Sequence, residues 1–373
     1  MRAFKRKAAP RDVVDQLRLI RTEGVGPITY RRLMERYGSA AGVLDALPGL
    51  TKVTIPEAGD AEREMALTAK LGGQLVFWGD AAYPPLLAML DDAPPCLAVA
   101  GDIGLLSARA VAVVGGRNAS ANGQRMAESL AAALAPTLVV VSGLARGIDA
   151  AAHKGAMTAG KTVAAIAGGL DIVYPPGHED LQRRIAEGGA VVTEAPPGTM
   201  PQARHFPRRN RIVAGLALGV VVVEASLKSG SLITAGIAQD AGREIFAVPG
   251  SPLDPRSRGA NDLLRQGAVM TETADDVLAN LPMQPRPSGQ ARLSFAPSAR
   301  WDTAPRTPAP DAGSPSAALL ALLGPAPTAV DDLLRRCQFS TSAVMAALLE
   351  LELAGRVETL PGNRIALASH VES

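Results

Sequence analysis

The chain has 373 residues, 47% apolar and 20% charged, with a formal net charge of +2. That apolar content excludes wholesale disorder and suits two or three domains, while the small net charge excludes a molecule-wide basic field, so affinity for a polyanion has to be local. Aromatics are only 3%, and Cys96 and Cys337 are too isolated for a disulfide framework or a zinc ligand set, which suits a reduced cytosol.

Residues 1–75 read as a helical domain. Val13–Ile20 and Ile28–Tyr37 are apolar-periodic stretches joined by Gly24-Val25-Gly26-Pro27, a helix–hairpin–helix (SAM-like) pattern. The basic N-terminus leads into no apolar signal core, and no uncharged run is long enough to span a bilayer, so no membrane partner is expected.

Residues 76–281 alternate short β-branched runs with alanine-rich periodic stretches. Strands are expected over Ala110–Val114, Leu138–Val141, Thr162–Ala167, Ala190–Thr193, Val220–Glu224 and Glu244–Val248. Helices are expected over Asn122–Leu134, Ile148–Ala159, Glu179–Ala186, Asn210–Ala217, Ser231–Ala241 and Gly259–Gln266. Strands apolar throughout are buried on both faces, so the fold class is α/β with an extended, parallel, Rossmann-like sheet. Ligands of such sheets sit beyond the C-terminal strand ends.

Residues 282–316 are rich in Pro, Ser, Ala and Arg without periodicity and read as a tether. In 317–373, the helical patterns Ala317–Leu323, Ala329–Arg336 and Thr341–Ala354 precede a hairpin around Pro361-Gly362, a winged-helix arrangement. Its third helix is apolar and carries Glu350 and Glu352, a poor reader of a major groove.

The strand-end loops carry the chemistry. Gly115-Gly116-Arg117 with Ser120 follows the first strand, without the spacing of a dinucleotide fingerprint or a Walker loop. Gly143-Leu144-Ala145-Arg146-Gly147 follows the second; Asp149 can cap the next helix or orient Arg146, and His153, four residues on, shares its helix face. The densest segment, His205-Phe206-Pro207-Arg208-Arg209-Asn210-Arg211, reads as a loop feeding a helix and suits phosphate, because guanidinium forks and a helix N-terminus both offer donors. Lys228, Ser229 and Ser231 form a further donor-rich turn. Together these loops predict a row of phosphate sites longer than one mononucleotide needs. No catalytic residue, metal site or cofactor is assigned.

Val113–Ser120, Ser142–His153, Gly169–Pro175, Phe206–Leu216, Val223–Thr234 and Phe246–Ser251, in that order, resemble the DNA processing protein A family (DprA, also called Smf). The resemblance implies a Rossmann domain that binds single-stranded DNA, protects incoming strands in natural transformation and helps load the RecA recombinase. It also implies homodimers, a cytoplasmic location and outer helical and winged-helix domains. Carried onto this chain, the strand-binding positions are Gly115, Arg117, Ser120, Gly143, Arg146, Gly147, Phe206, Arg208, Arg209, Asn210, Lys228, Ser229 and Ser231. Gly116 departs from the family's usual small hydroxyl residue or alanine. The physics agrees: arginines and backbone amides bind phosphate without reading sequence, and Phe206 can stack on a base. The competing class is a Rossmann-type nucleotide-processing enzyme, such as a phosphoribohydrolase, whose Pro-Gly-Gly-x-Gly-Thr-x-x-Glu run is absent here.

Overall fold

A computed structural model describes residues 10–50, 53–284, 315–323, 327–337, 339, 341–360 and 364–368. The chain divides into two compact units, one holding Glu62–Gly289 and the other joining Ala8–Ala61 to Gln290–Ser373. Four helices come first: α1 (Pro10–Arg21), α2 (Pro27–Tyr37), α3 (Ala40–Leu50) and α4 (Ala58–Lys70). The large sheet then opens with β1 (Gly73–Phe77), α5 (Pro85–Ala88) and β2 (Cys96–Gly101). The domain division expected at 75/76 therefore falls inside β1.

Regular alternation follows: β3 (Ala110–Val114), α6 (Ala121–Leu134), β4 (Val139–Ser142), α7 (Ile148–Ala159), β5 (Thr162–Ala165), α8 (Glu179–Gly188), β6 (Ala190–Thr193) and α9 (His205–Leu216). The sheet is completed by β7 (Gly219–Val222), α10 (Gly230–Asp240), β8 (Glu244–Ala247), α11 (Arg258–Arg265) and β9 (Val269–Met270), with α12 (Ala274–Asn280) behind. Strand order is β1-β2-β6-β5-β4-β3-β7-β8-β9. Pairings from β6 across to β9 are parallel, whereas β1 with β2 and β2 with β6 are antiparallel. The expected parallel sheet thus carries an antiparallel pair at one edge.

β3 shows why these segments become strands. Ala110, Ala112 and Val114 enter a core with α9 residues such as Ile212 and Val213. Val111 and Val113 enter the opposite core with Leu130 of α6 and Ala152 of α7. A run that buries both faces needs an apolar residue at every position, which is what β3 supplies.

In the second unit, α13 (Pro315–Leu322), β10 (Thr328–Ala329), α14 (Val330–Arg336), α15 (Thr341–Leu353), β11 (Val357–Leu360) and β12 (Arg364–Leu367) form a winged helix. Its small sheet has the order β10-β12-β11. α15 is buried on two sides. Val344, Ala347, Leu348 and Leu351 join the winged-helix core, while Leu349 and Leu353 join Leu19, Leu33, Val43 and Leu47 of α1–α3. Arg32 and Glu352 form an ion pair at 3.6 Å beside that seam. The tether expected over 282–316 lies mostly outside the described residues.

Candidate nucleic-acid interface

Because β3, β4, β5, β6, β7 and β8 run parallel, the loops that follow them share one rim of the sheet. The first two loops touch. Gly147 has φ +77°, and a side chain there would lie 2.4 Å from the carbonyl of Gly116. Ile148 N–H also donates to that carbonyl at 3.4 Å. Gly115 packs between Ile148 and the carbonyl of Glu224. Arg117 and Arg146 are both exposed.

The arginine-rich segment is not a loop. Its residues from His205 onward belong to α9. Pro207 is tolerated in the first turn, where backbone N–H groups have no intrahelical acceptor. Helical geometry splits the arginines: Arg204 and Arg208 are exposed, whereas Arg209 and Arg211 are both only 6% exposed. Arg211 is structural. It bonds the carboxylate of Glu194 and pairs with Asp92 at 3.3 Å.

Arg209 is held differently. Its guanidinium lies where a Gly143 side chain would be, 1.3 Å from the Cβ position, so any larger residue there would displace Arg209. Its ion-pair partner is Asp149, at 3.9 Å. Its Nε is buried with no hydrogen-bond partner. Asp149, expected to cap the helix or orient Arg146, instead faces Arg209 and accepts the Ala145 N–H at 3.4 Å. Burial pushes the Asp149 carboxyl up, with the Arg209 charge opposing. Burial likewise pushes the Arg209 guanidinium down, Asp149 opposing and Arg117 reinforcing. His153 is fully buried and adds no charge: burial, then the nearby Arg209, hold it down to about 3. Thr162 Oγ1 donates to the Val140 carbonyl at 2.7 Å and so accepts from His153 Nδ1, also at 2.7 Å. Arg209 and Asp149 thus face each other as a buried pair, with the exposed Arg117 charge acting on both.

Above Arg209 lies an aromatic step. Gly143, Ile172, Tyr174, Pro201, Phe206 and Arg209 line the same pocket. The Arg117 guanidinium sits 4.5 Å from the Phe206 ring centre. Tyr174 packs against Phe206 with ring centres 5.4 Å apart and planes tilted by 52°. Tyr174 lies in the Gly169–Pro175 run that carries the family resemblance but is not among the expected strand-binding positions; the available signal was the scarcity of rings in this chain.

Other expected positions have internal partners. Ser120 Oγ donates to Glu224 Oε1 at 2.5 Å and accepts the Gly123 N–H, while Ser120 N–H donates to Glu224 Oε2 at 2.8 Å. Ser120 therefore caps α6, one of the two roles open to it beside bonding phosphate, and the protein's own Glu224 carboxylate lies at that helix N-terminus. Ser229 caps α10, and its hydroxyl meets that of Ser231 at 2.7 Å. Asn210 Nδ2 ties α9 to the Gly230 carbonyl at 3.3 Å. Lys228 and Arg208 project into solvent.

A Rossmann-like sheet with a cationic C-terminal rim, combined with a helical N-terminal module and a winged helix, defines the class of protein. Comparison with known proteins makes the assignment specific. A family model described as DNA recombination-mediator protein A matches residues 74–282. Models of the DprA-like N-terminal HHH domain and the DprA winged helix domain match residues 10–66 and 303–363. The chain belongs to the DNA processing protein A family, as the sequence motifs implied. It is 40% identical to Protein Smf of Escherichia coli K12 over 78% of this chain and 76% of that protein. It is 46% identical to the DNA processing protein DprA of Streptococcus pneumoniae R6 over 54% of this chain and 71% of that one. The X-ray structure of S. pneumoniae DprA superposes with a TM-score of 0.63 at 34% identity, covering 72% of this chain and 97% of that one. DprA of Helicobacter pylori, whose structure describes a single-stranded DNA binding mode, gives 0.50 at 33% identity, covering 53% and 92%.

Proposed function

We propose that the rim binds single-stranded DNA and that the protein is a non-enzymatic mediator of DNA processing. In this reading it is cytoplasmic, acts as a homodimer, shields incoming strands and helps deliver them to the RecA recombinase. One observation carries the binding reading: Arg209 is buried beneath Gly143 with an unpartnered Nε and a carboxylate no nearer than 3.9 Å, beside a second cation, Arg117. A buried guanidinium left so under-satisfied is costly to the fold, and a phosphate oxygen relieves that cost. Exposed Arg117, Arg146, Arg208 and Lys228 extend the positive surface to either side of it. Gly143 and Gly147 shape the backbone there, and Gly115, Ser120, Asn210, Ser229 and Ser231 hold the loops that carry these cations. The single-stranded DNA binding of the H. pylori relative supports the same ligand.

Fluorescence anisotropy with labelled oligonucleotides across a salt series tests this. Unpaired strands should bind more tightly than duplex, with affinity falling steeply as salt rises. Arg146→Glu should weaken binding for every sequence and flatten the salt dependence by roughly 0.7 in log–log slope per lost phosphate contact. Salt-insensitive binding, or a preference for duplex, would overturn the assignment.

A further inference from the structure

We infer that Tyr174 is the stacking face offered to an unpaired base, with Phe206 and Arg117 behind it as its support. The inference rests on the single-stranded DNA reading and adds a residue to it.

The chain has only six Phe, four Tyr and two Trp in 373 residues. Of the nine that are described, Tyr30, Phe77, Tyr83 and Phe246 are buried, and Tyr37, Trp78, Phe206 and Phe339 are half-buried. Among the described residues Tyr174 is the one exposed aromatic, at 42%. Its loop is clamped in this position. Asp171 accepts the Gly198 N–H with both oxygens at 2.9 Å, Gly169 N–H donates to Thr199 O at 3.0 Å, and Thr193 Oγ1 donates to Gly168 O at 2.8 Å. A ring on so tethered a loop loses little freedom when a base docks on it, which favours binding.

Phe206 by itself is a less open platform. It is half-buried, Arg117 lies over its ring, and Tyr174 packs against it. A base stacking fully on Phe206 competes with one of these neighbours, whereas Tyr174 presents ring surface to solvent. Tyr174 and Arg209 also line one pocket, whose free space of about 10 Å³ is too small for a nucleotide, so a base meets the exposed ring from outside it. The alternative role is purely structural, with Tyr174 bracing Phe206.

The test compares an unmodified oligothymidylate with a strand of equal length made of abasic nucleotides, using the full chain and the variants Tyr174→Phe, Tyr174→Leu and Tyr174→Ala. Tyr174→Phe should keep wild-type affinity. Tyr174→Ala and Tyr174→Leu should weaken oligothymidylate binding roughly ten- to hundredfold, the range for loss of one base–aromatic stack. On the abasic strand wild type and variants should bind alike, since there is no base to stack. Unchanged oligothymidylate affinity in Tyr174→Ala, or an equal loss on both strands, overturns the inference while leaving the binding reading intact. Wild type that binds neither strand overturns both.

Discussion

The loops after β3 and β4 look alike in sequence, both glycine-rich and both carrying an arginine, yet the fold completes one and leaves the other open. At the end of β3, the Glu224 carboxylate takes the Ser120 hydroxyl and N–H, filling the N-terminus of α6 from within. At the end of β4, the nearest carboxylate to Arg209 is 3.9 Å away and Nε has no partner. The first arrangement satisfies its carboxylate and its loop, whereas the second, though Asp149 accepts the Ala145 N–H, leaves a buried guanidinium under-paired. On the single-stranded DNA reading, the strand end that keeps an under-paired cation is the one left to meet a phosphate.

The sharpest way to break this contrast is to fill the open site. Gly143→Ala places a methyl on the guanidinium of Arg209, and Arg209→Met removes the charge. Each should lower single-stranded DNA affinity roughly ten- to hundredfold, the value of lost charge-assisted hydrogen bonds, as read by anisotropy. Arg209→Met also leaves the buried Asp149 carboxylate without its partner, so it should lower stability by up to about 3–5 kcal/mol, and its affinity is read at a temperature where the variant remains folded. Wild-type affinity in both variants would remove Arg209 from the interface. At the closed site the pattern should reverse. Glu224→Gln should cost about 1–3 kcal/mol in denaturant unfolding, with DNA affinity within about threefold of wild type. A larger binding loss with stability intact would make Glu224 part of the interface instead.

The smallest effect concerns the charge balance near Arg209. His153 falls to about 3 in the folded chain from an ordinary 6.5, so on acidification the unfolded chain takes the proton first. The stabilising contribution of neutral His153 is present above 6.5 and is lost progressively between 6.5 and about 3. Between pH 7 and pH 6 the loss should stay under about 1 kcal/mol. His153→Gln should lack this part of the acid slope in denaturant unfolding. An identical slope in the variant would mean that His153 is not held neutral.

The sequence anticipated β3 to β8 within a residue or two, because each is a continuous apolar run bounded by glycine or a charged residue. It missed β2, whose Cys-Leu-Ala-Val-Ala-Gly composition does not separate strand from helix, and β9, which is two residues long. It also placed Phe206 and Arg208 before the helix that contains them, since proline and charge together read as a turn. The burial of Arg209 and Arg211 depends on Gly143, Glu194 and Asp92, far away in sequence. Glu224 and Ser120, 104 residues apart, gave no local sign of their pairing. The gathering of these loops on one rim was thus legible, whereas the division of their residues into charges facing solvent and groups locking loops required the fold.

Leu349 and Leu353 of α15 also bear on how this protein is made. They complete a core whose other members, Leu19 to Leu47, leave the ribosome about 300 residues earlier. At roughly 5–20 residues per second, the first helices wait some fifteen to sixty seconds with that seam uncovered. The central sheet is translated in that interval, so the α1–α3 segment finishes its core only after the sheet that follows it has been made.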